Sequence, residues 1–171
     1  TPTARVSGGF FNKVEHTTGT TGSVAAGQKT LTATGTDLIG VIQDGASGSV
    51  AANKTTFTAA GSNFTNTVKD KFVSFLDGSG NIVETFGIKS VTNGTTLELK
   101  TAPGTAITNR PFVLHELDLR GKFVSFNDNN SVAVATYSIK SATNSTTLEL
   151  TGASDTGFTN RPFVVYENES G

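Results

Sequence analysis

The chain has 171 residues, room for one or two small domains, with 13 basic and 14 acidic side chains for a net charge of -1. That balance argues against a polybasic binder of nucleic acid or membrane, because phosphate attraction needs a concentrated positive patch. Cysteine is absent, which removes disulfides and thiolate metal sites, and no apolar run approaches the length of a membrane span.

The chain carries 29 threonines and 19 glycines. Threonine is β-branched and suits strands, while Gly and Asn supply turns. No stretch has helical periodicity, so the fold class is all-β with short strands. Residues 1–29 are rich in Gly, Thr and Ser, with Phe10, Phe11 and Val14 as apolar anchors. Such a segment buries little surface by itself. It is expected to be an extended N-terminal arm docked on a neighbouring subunit or partner. Residues 30–38 (TLTATGTDL) match 56–64 (TFTAAGSNF) at an offset of 26, and a shortened third unit in residues 30–65 is expected there.

The rest is a duplication. Residues 71–116 lie on 122–167 at an offset of 51 without a gap, and 27 of 46 positions are identical. Each copy reads as five short strands. In the first copy they are 71–76, about 82–86, 87–92, 95–100 and one opened by Pro111. Asn93-Gly94 is a two-residue hairpin signal. Leu97 and Leu99 alternate with Thr96, Glu98 and Lys100, the pattern of a half-buried strand. The expected architecture is a tandem repeat of two small five-stranded barrels, SH3-like or OB-like. Phe72, Phe75, Ile88, Leu97, Leu99, Phe112 and their equivalents should line the cores. The domains are drawn at 1–54 (arm with a possible degenerate β unit), 55–117 and 118–171. Units this small are marginal alone, so packing on each other or on other chains is expected.

Catalytic signatures are lacking. Asp77 and Asp128, with Asn81 or with Asn129 and Asn130, offer oxygen ligands for Ca²⁺, but Asp and Asn are also ordinary turn formers, and no metal or cofactor is expected. Glu98 and Glu149 are expected to pair with Lys89 and Lys140 across a hairpin rather than to act as glycosidase carboxylates. Glu116 and Glu167 recur without a visible catalytic partner. His16 and His115 are the only histidines. Position 166, equivalent to His115, holds Tyr, so neither copy requires a base there. Thr108-Asn109-Arg110-Pro111-Phe112 recurs at 159–163 with Arg161, and these two arginines are candidates for a partner carboxylate. They join Phe10, Phe11 and Val14 as the expected partner-binding residues.

The pattern Lys-Phe-Val-Ser-Phe, Ile-Lys-Ser, Thr-Thr-Leu-Glu-Leu and Pro-Phe-Val resembles the short β-barrel repeats in structural proteins of tailed-phage virions, over roughly residues 55–167. The resemblance implies a non-enzymatic virion protein assembled in a bacteriophage host's cytoplasm. It would decorate or cement a capsid, bind capsid or other virion proteins and form homo-oligomers, without nucleic acid or membrane as partner. A neck or tail ring component and a glycan-binding surface module are the alternative expectations.

Overall fold

The structure, a computed structural model, describes residues 13–168. These hold twelve strands: β1 Lys13–Val24, β2 Thr30–Ala33, β3 Val41–Val50, β4 Thr56–Thr58, β5 Phe72–Leu76, β6 Ile82–Asn93, β7 Thr96–Leu99, β8 Ile107–His115, β9 Phe123–Asn127, β10 Ala133–Asn144, β11 Thr147–Leu150 and β12 Phe158–Asn168. A single 3-10 turn spans Asn66–Val68. All strand pairings given by register are antiparallel, and the strands close into two barrels. One has the order β3-β4-β7-β6-β5-β8 and the other β9-β10-β11-β2-β1-β12.

Each barrel therefore has six strands, not five. The expected second and third strands of each copy are one long strand, β6 or β10. The other two strands come from outside the repeat. Residues 13–33 are not an extended arm, and residues 30–65 are not a third unit. They form two hairpins, β1–β2 and β3–β4, and each completes a barrel. A four-stranded copy has two open edges lined with unpaired backbone groups, and a two-stranded ribbon is marginal alone. Joining the two solves both problems.

The hairpins are copies of each other. Residues 13–38 match 39–64 at an offset of 26, with 10 of 26 positions identical. The pairing is crossed, however. The second hairpin completes the first copy, so that barrel runs continuously along the chain. The first hairpin completes the second copy, so that barrel is split. The chain divides at Leu38/Ile39, away from the boundary drawn at 54, and at Asp118/Leu119, one residue from the boundary drawn at 117. One barrel is inserted in a loop of the other.

The continuous barrel is built around Phe57, whose ring lies 5.1 Å from Phe112, 5.6 Å from Phe75 and 5.9 Å from Phe64. Ile88, Leu97, Leu99 and Leu114 fill the space around these rings. Tilted and edge-on contacts of this kind add to the burial each ring contributes. Of the expected core residues named in this copy, only Phe72 lies outside the buried set. It is half-buried and stacks on His115 at 6.0 Å. In the split barrel Phe126 stacks on Phe158 at 4.5 Å and Phe123 on Tyr166 at 5.6 Å.

Glycines on β1 and β3 make room for the aromatic residue of the last strand. A Cβ on Gly19 would meet the Phe163 ring at 2.6 Å, and one on Gly45 would run into the Phe112 ring. Gly19 pairs with Phe163 and Gly45 with Phe112 in the ladder. The ring thus covers the strand directly opposite it.

Candidate interaction surface

The motif that recurs as Asn109-Arg110-Pro111 and Asn160-Arg161-Pro162 sits at a break in the β3–β8 or β1–β12 ladder. Asn109 and Asn160 have left-handed backbones, with φ of 50° and 47°. Asparagine tolerates this conformation better than most side chains. The Asn109 N–H donates to Ser49 Oγ, and the Asn160 N–H donates to Ser23 Oγ, both at 2.9 Å. Ser23 and Ser49 are equivalent residues of the two hairpins, so each hairpin pins the bulge of the copy it completes. Pro111, lacking an N–H, lies opposite the register shift between Gly45 and Gly48, where the ladder is already interrupted.

This bulge presents the two arginines differently. Arg110 is exposed and lines a hollow of about 260 Å³ with Val83, Glu84 and Ile107. Its charge also reaches Asp77. Arg161 is half-buried, with its guanidinium 5.2 Å from the centre of the Phe158 ring. Phe158 replaces Ile107, so the aromatic ring gives Arg161 an internal partner at a position where the other copy has an aliphatic side chain. Val14, on β1, is 39% exposed. Phe10 and Phe11 lie outside the described residues.

Asp77 closes a turn rather than reaching outward. Its Oδ1 accepts from the N–H groups of Ser79 and Asn81, both at 2.9 Å. Asp128 Oδ1 does the same with Asn130 and Val132. The amide of Asn81, then that of Ser79, holds the Asp77 carboxyl below the usual carboxylate range. Among the described residues no three His, Asp or Glu side chains converge on a metal position.

The expected ion pairs of Glu98 and Glu149 are replaced by hydrogen bonds. Glu98 accepts from Thr55 at 2.9 Å and Thr56 at 3.3 Å, and Glu149 accepts from Thr30 at 3.3 Å. A register shift between Ile88 and Ser90 sets Ser90 opposite Glu98, so Lys89 is out of line. The lysines that do pair include Lys71, 3.5 Å from Glu116, and Lys122, 3.1 Å from Glu167. Glu167 also receives His16 at 2.9 Å. Lys122 first, and His16 to a lesser degree, lower the Glu167 pKa against the opposing effect of burial.

Sequence reasoning missed one constellation. Ser74 Oγ is 2.7 Å from both His115 Nε2 and Thr85 Oγ1, and His115 Nδ1 is 2.8 Å from the Leu117 carbonyl. A carbonyl only accepts, so Nδ1 carries the proton and Nε2 accepts from Ser74. A hydroxyl, an imidazole and an orienting acceptor in line have the layout of an activated nucleophile. Here, though, Ser74 is 0% exposed and His115 2%. The chain satisfies polar groups inside a barrel wall. Ser125 keeps the hydrogen bond to Thr136 at 2.8 Å, while Tyr166 stands in for the imidazole. The signal was available in the recurring Ser74/Ser125 and Thr85/Thr136, which face each other only once the strands pair.

Comparison with protein families, curated proteins and solved structures finds no match for this chain.

Proposed function

We propose that the protein is a non-enzymatic structural component of a virion that decorates or cements a capsid by binding across neighbouring subunits. In this reading each six-stranded barrel is an SH3-like or OB-like interaction module extended by one strand. The observation that supports it is the placement of exposed apolar side chains. Val14, Val41 and Ile42 lie near the starts of β1 and β3, and Val83, Val132 and Val134 lie around the starts of β6 and β10. Val83 and Val134 are equivalent, so both barrels offer the same residue to a neighbour. Exposed apolar residues at repeated positions suit shallow contacts with another protein. Many copies on one shell would turn weak single contacts into lasting attachment.

The test compares the full chain with a chain starting at Lys13, which keeps all twelve strands. Both are mixed with empty capsid shells, and the bound fraction is measured by co-sedimentation. Binding by the full chain, weakened by the truncation, is the expected result and assigns the anchor to residues 1–12, which include Phe10 and Phe11. A full chain that ignores shells but forms a closed ring favours a neck or tail position. A monomer that does neither sinks the assembly reading and leaves the glycan-binding alternative.

A further inference from the structure

Among the described residues, barrel closure leaves part of one edge uncovered. β1 pairs with β12 from Lys13 to Val24, but β2 reaches only Gly22, Ser23 and Val24. Beyond β2 the chain still touches β1, since Thr21 Oγ1 donates to the Thr34 carbonyl at 2.6 Å and Thr36 lies against Gly19. From Lys13 to Thr18 no strand among the described residues lies along the outer edge. Such an edge is a row of backbone donors and acceptors ready to pair with another strand.

The side chains on this edge select the partner. Lys13, Val14 and Glu15 are all exposed. In an antiparallel pair of identical strands centred on Val14, each Val14 meets its copy. Lys13 of one chain then faces Glu15 of the other, twice by symmetry. A lone lysine on an edge normally deters pairing. A lysine and a glutamate two residues apart around an exposed valine deter unlike strands and favour their own copy. A twofold axis makes such a contact self-complementary and closed.

We propose that the protein forms a twofold dimer by antiparallel pairing of the open edge at the start of β1 with the same edge of a second copy, centred on Val14. This inference is independent of capsid binding.

The decisive experiment uses full-length protein and two charge reversals, Glu15→Lys and Lys13→Glu, with solution mass followed over a concentration series. Far-UV circular dichroism and thermal melts check that both variants stay folded. The wild type is expected to dimerise, and each variant is expected to dimerise at least tenfold more weakly, because like charges then face each other. An equimolar mixture of the two variants is expected to recover the dimer, since the two lysines flanking Val14 in the Glu15→Lys chain meet the two glutamates flanking it in the Lys13→Glu chain. A chain carrying both reversals should dimerise like the wild type. A monomeric wild type overturns the proposal. A dimer indifferent to charge reversal, or one that mixing fails to restore, overturns the centred register and with it the proposal.

Discussion

Ser131 has a left-handed backbone, φ 63°, in the turn where Gly80 has φ 83° in the other barrel. The Asp77 and Asp128 turns make the same hydrogen bonds, so the backbone demand is the same and only the residue has changed. An L side chain in this region costs about 1–2 kcal/mol. Ser131→Gly is therefore expected to raise stability by roughly 0.5–1 kcal/mol, after the added unfolded-state entropy of glycine is subtracted. A denaturant midpoint measures it. Gly45 has the opposite constraint, since the Phe112 ring fills the space of its missing Cβ. Gly45→Ala is expected to lower stability by about 1–3 kcal/mol through overpacking. Asp77 and Glu167 contribute to the acid limb. Both carboxyls are lowered in the folded state, Asp77 by the Asn81 and Ser79 amides and Glu167 by Lys122 and then His16. A lowered folded pKa adds stability above the unfolded pKa, and that stability is lost as pH falls through the folded one. The loss falls below about pH 4, the ordinary carboxylate range. Urea titrations of Asp77→Asn should show a shallower pH dependence there, because stability at neutral pH falls toward the acid value: Asn Oδ1 still accepts the two amides but carries no charge to strengthen them.

At the scale of the elements, the bulges decide which side chains meet. The alternation of Leu97 and Leu99 and the presence of a hairpin after residue 93 were legible from the sequence. The turn itself lies one residue further on. Asn93 pairs with Thr96, and its Oδ1 accepts from the Thr95 N–H at 2.9 Å. Neither Asn93 nor Gly94 has a positive φ. That is why Asn144-Ser145 serves equally well in the second copy. The Lys89–Glu98 pair failed because a one-residue shift changes every facing pair beyond it. No pattern of residue types marks such a shift. Ser49 and Asn109 brace the bulge between β3 and β8. Ser49→Ala removes the acceptor of the Asn109 N–H and is expected to cost about 0.5–1.5 kcal/mol. A chemical melt of the continuous barrel reads it, and Ser23→Ala should have a matching effect on the split barrel.

For the whole molecule, the two ends of the inserted barrel leave it side by side. The Ile39 carbonyl accepts from the N–H groups of Glu116 at 3.1 Å and Leu117 at 3.0 Å. Termini held together are the condition under which an insertion is tolerated. In the continuous barrel the equivalent junction is the short stretch Thr65-Asn66-Thr67 between Phe64 and Val68, the counterparts of Leu38 and Leu119. Two outcomes are expected. Residues 39–118 alone should fold, with cooperative unfolding and dispersed amide resonances. Residues 1–38 joined to 119–171 through Thr-Asn-Thr should fold as well. A collapsed but uncooperative 39–118 fragment would show that this barrel needs its host.

The all-β class, the duplication, most core positions and most of the turns were legible in the residues alone, because class, core and turns follow local preference and a period of two along each strand. The sequence also held the second repeat, since residues 13–38 match 39–64 over their whole length. That those hairpins are barrel strands, that the first completes the second copy and the second the first, and that Ser74 meets His115 emerge only once the strands pair. Strand pairing is a contact between distant segments. Two hairpins of equal pattern fit either copy by local rules, and what separates the choices is which edges chain connectivity and packing bring together.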